Sequence, residues 1–228
     1  MTSELESEIL ALRDKRLTSK QIARKLGLKV SEVNSVIKTN AEQIVITRAE
    51  TRELAPVTQC LVNVNCAERL LTAQTFDEHD VGGLGMVLVT RTTGYKRFVV
   101  CSYLVDYWCL GLKNTMGEKK LNDIKYQQFL KMAYQGFADG YQEITLQQAQ
   151  AIVYGAVNYA TELGFKPHKD FQKTENHLGT WNGQPKLTFG RQGKPYFISG
   201  PYDNSERIMQ TLRQNVGEGN FDYLVGLG

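Results

Sequence analysis

Gly27 is the position that most constrains how this chain can fold. Apolar residues recur every three or four positions before it and again after it, so a glycine between them divides what would otherwise read as one helix. In SELESEILALRDKR, Leu5, Ile9 and Leu12 predict a first amphipathic helix. Thr18 or Ser19 is placed to cap a second, with Ile22, Ala23 and Leu26 facing inward. Gly27 ends that helix, because glycine adopts the left-handed conformation of a tight inter-helix turn. A third helix is predicted from about Val30 to Lys38, with Val33, Val36 and Ile37 on its apolar side.

Charge follows the same boundary. Residues 1–52 hold ten Lys/Arg against seven Asp/Glu, which accounts for the whole net charge of +3, while the remainder is balanced at 17 and 17. Between Arg13 and Lys38 eight basic residues face two acidic ones. A cationic segment of this kind suits contact with a phosphate backbone, where it displaces condensed counterions.

The stretch SKQIARKLGLKVSEVNSVIK resembles the helix-turn-helix family in its small residue within the second helix (Ala23), its turn glycine (Gly27) and the apolar residue that follows (Leu28). The resemblance covers about residues 5–40. It implies that the third helix enters the major groove of duplex DNA, with Ser31, Asn34 and Ser35 toward bases or phosphates and Lys38 toward phosphate. Lys20, Arg24 and Lys25 would grip the backbone, with Lys29 beside them. Lys29 also stands where the family often carries a Ser or Thr cap, which leaves the start of the third helix open by a residue or two. One such module makes a small interface, so a homodimer is expected. These readings give a DNA-binding transcription regulator, with residues 1–40 as the nucleic-acid-binding domain, 41–56 as a linker containing the β-like run IVIT, and 57–228 as a larger domain for dimerisation, effector sensing or catalysis.

Beyond Val57 the pattern shifts to extended apolar runs. MVLVTRTT and KRFVVCSYLVDYW flank Gly94 and Tyr95 and predict an antiparallel hairpin. Gly82, Gly83 and Gly85 precede a strand rather than a helix and lack a following Lys-Ser/Thr, so they read as a turn and not a phosphate loop. Helices are predicted over Leu121–Ala138 and Leu146–Leu163, the second capped by Thr145 and packed through Ala149, Val153, Ala156, Val157 and Ala160. A polar loop (PHKDFQKTENHLGTWNG), a second hairpin (KLTFGRQGKPYFISG) and a helix over Ser205–Gln214 complete an α+β order of elements. The segments YLVDYWCLGLK and YGAVNYATELGFKPHKDF resemble parts of bacterial proteins, and that resemblance implies no chemistry.

Two further functional readings rest on the larger domain. His168, Asp170, Glu175 and His177 lie within one segment, and with Asp106 they have the donor types of a divalent-metal hydrolytic site, so a metal-dependent nuclease is the alternative function. Asp106 is equally placed to cap a turn or to pair with Lys113. Tyr103, Tyr107, Tyr126, Tyr134, Tyr141, Tyr154, Tyr159, Trp108 and Trp181 could line a pocket for a small-molecule effector or stack on single strands. His79, in FDEHD, reads as part of a solvated acidic loop. Cys60, Cys66, Cys101 and Cys109 have no zinc-knuckle spacing and read as reduced packing residues. The longest apolar run, Phe98–Leu112, is shorter than the roughly 20 residues of a spanning helix and contains Asp106. With no basic and apolar leader in MTSELESEIL, a cytoplasmic location away from membranes is expected.

Overall fold

A computed structural model of the chain describes residues 3–51, 54–72 and 82–225, with the backbone alone for 3 and 44–51. It divides into two compact units, one comprising Met1–Pro56 with Thr92–Phe98 and the other Val57–Arg91 with Val99–Gly228.

The first unit contains α1 (Ser3–Asp14), α2 (Ser19–Leu26) and α3 (Val30–Thr51). Ile9 and Leu12 of α1, Ile22 and Ala23 of α2 and Val33 of α3 are buried together, with Leu5, Leu26, Leu28, Val36 and Ile37 around them. Thr18 caps α2 through a reciprocal pair: its Oγ1 accepts from Gln21 N at 3.3 Å, and its own N–H donates to Gln21 Oε1 at 2.8 Å. Gly27 closes α2 at φ 68°, in the left-handed region, and the Leu28 N–H returns to the Ala23 carbonyl at 2.9 Å. The start of α3 is not displaced by Lys29. Glu32 at the third helical position accepts the Lys29 backbone N–H at 2.7 Å, which supplies half of a capping box without a Ser or Thr. The third helix also runs past Lys38 to Thr51, so IVIT is helical backbone and not a strand. No turn signal separates Lys38 from Ile44, and Lys38 and Glu42 stand at i,i+4, 4.0 Å apart.

The second unit is built on a five-stranded antiparallel sheet in the order β4-β3-β2-β1-β5. Its strands are β1 (Val57–Asn63), β2 (Leu84–Gly94), β3 (Arg97–Asp106), β4 (Gly111–Asn122) and β5 (Tyr141–Ile144). The expected hairpin is β2–β3. In addition, Cys60 pairs with Val89 on one side and Ile144 on the other, placing β1 between β2 and β5. Helix α4 (Val64–Leu71) follows β1, and α5 (Asp123–Tyr134), capped by Asn122, lies between β4 and β5. Helix α6 (Leu146–Glu162) begins with a second reciprocal box between Thr145 and Gln148 and packs on β4 and β1. Its small residues allow a close approach: a side chain at Gly111 would come within 2.5 Å of Ala160 Cβ.

Two expectations about the C-terminal third are corrected. The polar loop contains α7 (Phe171–Leu178), because Phe171, Thr174, His177 and Leu178 form one buried stripe at helical spacing. Of the hairpin expected over 186–200 only a single antiparallel bridge forms, Arg191 with Lys194, each N–H donating to the other's carbonyl at 2.8 and 3.0 Å. Gly190 donates its N–H to the Tyr107 carbonyl at 2.9 Å, and its own carbonyl accepts from Arg69 at 2.9 Å, so this backbone bonds elsewhere in the unit. Instead β6 (Tyr196–Ile198) pairs in parallel with β7 (Asp222–Leu224). With α8 (Ser205–Asn215), these strands enclose a separate core of Cys109, Leu163, Phe197, Met209, Leu212 and Phe221. No helix among the described residues is long and apolar enough to cross a membrane.

Candidate functional site

In the three-helix unit, the residues expected to meet nucleic acid are on the surface. Lys20, Arg24 and Lys25 of α2 and Lys29 before α3 are exposed, and no ion pair holds any of them among the described residues. Arg24 and Lys25 occupy the last turn of α2, where the helix dipole favours cations. On α3, Ser31, Ser35 and Lys38 are exposed at a spacing of four and three residues and therefore share one face, opposite buried Val33. The Lys38–Glu42 pair is open to solvent, which makes it weak and readily exchanged for a phosphate.

Asn34 differs from its neighbours. It is half-buried, and its Oδ1 accepts from the Tyr95 hydroxyl at 3.3 Å, within the same unit. Tyr95 sits at the β2–β3 turn, 61 residues along the chain from Asn34, so no local pattern connects the two. Ser35 lies at the opposite edge of the α3 face, on the rim of a groove that also contains Glu6 and Leu10 of α1.

The candidate metal ligands are not assembled. Among the described residues, no group of three or more His, Cys, Asp or Glu side chains could hold an ion. His168 Nδ1 accepts the Asp170 backbone N–H at 3.3 Å. The Asp170 carboxylate pairs with Lys173 at 2.7 Å, and that hydrogen bond holds its carboxyl below the usual range. Glu175 points away on the exposed side of α7. His177 is buried against the sheet, donating from Nε2 to the Val89 carbonyl at 3.0 Å, and burial keeps it neutral by pushing its pKa down. His79 lies outside the described residues.

Asp106 follows the turn-capping alternative. Its Oδ1 accepts the backbone N–H groups of Trp108 and Cys109, each at 3.0 Å, at the reversal from β3 to β4. Lys113 pairs not with Asp106 but with Asp203, at 2.6 Å. Full burial raises the Asp106 carboxyl to about 6, against the lowering effect of its backbone hydrogen bonds. All four cysteines are free and buried, and burial pushes the Cys60 and Cys101 thiols up to about 12, far from the thiolate a nucleophile needs.

Most of the aromatic residues brace the fold. Hydroxyls of Tyr103, Tyr107 and Tyr134 donate to the carbonyls of Thr174, Gly82 and Met86 at 2.8, 2.9 and 3.0 Å. Tyr126 bonds Gln59 at 2.8 Å, while Tyr154 stacks on Trp181 with ring centres 5.9 Å apart. Tyr141 is partly exposed and leans on Tyr134, and Tyr159 stacks on Phe189. Trp108 is buried and meets the Tyr196 ring edge to face, with centres 5.5 Å apart. Compared with protein-family models, curated proteins and solved structures, the chain matches none.

Proposed function

We propose that this protein binds duplex DNA through its first three helices, as a transcription regulator of the helix-turn-helix kind. The observation that carries this reading is the exposed polar face of α3, with Ser31, Ser35 and Lys38 in line, beside Lys20, Arg24 and Lys25 of α2, which no ion pair holds among the described residues. That arrangement supports α3 in the major groove and α2 against the phosphates. Asn34 would read adenine only by exchanging its Tyr95 hydrogen bond for two to the base. A single unit of this size gives a limited interface, so the regulator is proposed to act as a homodimer through its larger domain. The metal-dependent nuclease gains no support from the geometry, since His168 and Asp170 contact each other while His177 is held apart on the Val89 carbonyl, and no third ligand joins the pair among the described residues.

Electrophoretic mobility shift of the full chain with duplex DNA over a salt series, with and without Mg²⁺ or Mn²⁺, tests the proposal. Retardation of intact DNA that weakens steeply with salt is the expected result. Absence of retardation at low salt would overturn the DNA reading and favour a protein-holding role for the helices. Metal-dependent fragments would replace the regulator with a nuclease.

A further inference from the structure

Tyr95 and Lys96 form the two-residue turn between β2 and β3, and the surrounding segment 92–98 groups with the three helices rather than with the rest of its strands. Specific bonds lie behind that grouping. The Thr92 N–H donates to the Pro56 carbonyl at 2.9 Å, and the Tyr95 hydroxyl donates to Asn34 Oδ1 on α3 at 3.3 Å. Asn34 stands three residues after Ser31 and four before Lys38, so Tyr95 rests on one edge of the exposed α3 face, with Ser35 at the other.

Two cations follow directly. Lys96 and Arg97 are both exposed, and segment 92–98 (TTGYKRF) contains no acidic residue. Lys96 has φ 55°, in the left-handed region, where Gly or Asn is the residue of low cost at a turn. Turn geometry therefore gives no reason for a lysine. Its Nζ lies 5.8 Å from the centre of the Tyr95 ring, the same ring whose hydroxyl reaches α3, so the cation is tied to the edge of that face. Counted with its own unit, the segment also sharpens the separation of charge. The first unit holds twelve basic and eight acidic residues, the second fifteen and sixteen.

A helix seated in the major groove has base edges beneath its face and the phosphates of the two strands along its sides. Cations on a turn that rests against one side of the helix therefore meet phosphates and not bases. We propose that the β2–β3 turn is a second DNA-contacting element, in which Lys96 and Arg97 bind phosphates of the strand that borders α3 on its Asn34 side. The contact presupposes α3 in the groove, and so rests on the DNA-binding reading given above. It adds phosphate ligands that the three helices do not themselves carry.

A labelled mixed-sequence duplex of about 20 base pairs is titrated with the full chain over a salt series, and binding is followed by fluorescence anisotropy. Lys96→Gly is a sharp variant, because glycine suits φ 55° and removes the cation without straining the turn. It is expected to unfold thermally no earlier than the wild type, yet to lower the slope of log affinity against log salt by about 0.9. Adding Arg97→Gln should lower the slope by about 1.8 in all and weaken binding about tenfold or more at roughly 0.1 M salt. Lys120→Gln with Lys131→Gln, exposed in the second unit, should stay near the wild type. Equal losses in the two pairs would assign the effect to general attraction and overturn the proposal. Unchanged affinity and slope in the Lys96→Gly, Arg97→Gln protein, while Lys20→Gln with Arg24→Gln still weakens binding, would overturn this contact alone. Tighter binding by the turn variants would also overturn it, since the turn would then screen α3. No binding by the unmodified chain at low salt would overturn the DNA reading, and this contact with it.

Discussion

Asp106 shows how one side chain can support a turn and still oppose stability at neutral pH. Its carboxyl lies at about 6 in the folded protein against an ordinary value of 3.8, because burial disfavours the charge more than the backbone N–H groups of Cys109, Trp108 and Leu110 and the nearby Lys113 favour it. Between about pH 4 and pH 6 the folded protein therefore holds more protons at this site than the unfolded chain. Its contribution to stability is full below that window and is lost as pH rises through it. Asp106→Asn keeps the accepting oxygen and removes the charge. Unfolding in urea is expected to show the wild type losing about 2–3 kcal/mol relative to Asp106→Asn between pH 4 and pH 7. A constant difference would mean that the carboxyl titrates normally. The capping role was legible in the sequence as one of two alternatives, an acid just after an apolar strand. What could not be read was its choice of neighbours, because Lys113 meets Asp203 only through the path of the chain between β6 and α8.

Elements whose stability is local were the readable ones. Thr18 with Gln21, Thr145 with Gln148, and the glycines at 27 and 164 mark helix ends through bonds that span a few residues. Helix α7 escaped because Thr174 and His177 occupy its buried stripe, where an apolar pattern would have identified it. Burial of those polar side chains is made tolerable by partners elsewhere, Thr115 at 2.9 Å from Thr174 and the Val89 carbonyl at 3.0 Å from His177. Strand β4 was also unreadable, since its second half, GEKKLN, is nearly all exposed on the sheet edge and does not alternate. The contact between β4 and α6 is correspondingly exacting. Gly111 has φ 67° and lies against the Ala156 carbonyl and Ala160 Cβ. Gly111→Ala combines a left-handed backbone with overpacking and is expected to destabilise the second unit by about 2–4 kcal/mol, measured by thermal unfolding. A loss below 1 kcal/mol would mean that the helix can move aside at little cost.

Across the whole molecule, charge separates what packing leaves equivalent. Residues 1–52 carry the entire net +3, and the remaining residues are balanced. On the DNA-binding reading, Lys20→Glu with Arg24→Glu should lower affinity for duplex at least tenfold and flatten its salt dependence, since each lost phosphate contact removes about 0.9 from the slope. Lys120→Glu with Lys131→Glu, equally exposed but in the second unit, should change little, as judged by mobility shift. Equal losses for both pairs would assign the binding to general attraction rather than to α2. Legible from the residues alone were the first two helices and the start of the third, the β2–β3 hairpin, the ends of α6 and the α+β class, because caps, turns and side-chain periodicity act over a few residues. The continuation of α3 beyond Lys38 was not. It took the folded chain to show that β1 lies between β2 and β5, that β6 pairs with β7, that His177 is held away from the His168–Asp170 pair, and that Trp108 lines a cavity. Those arrangements join residues distant in the chain, and their energy arises from burial and hydrogen bonds that exist only once the sheet and its helices have come together.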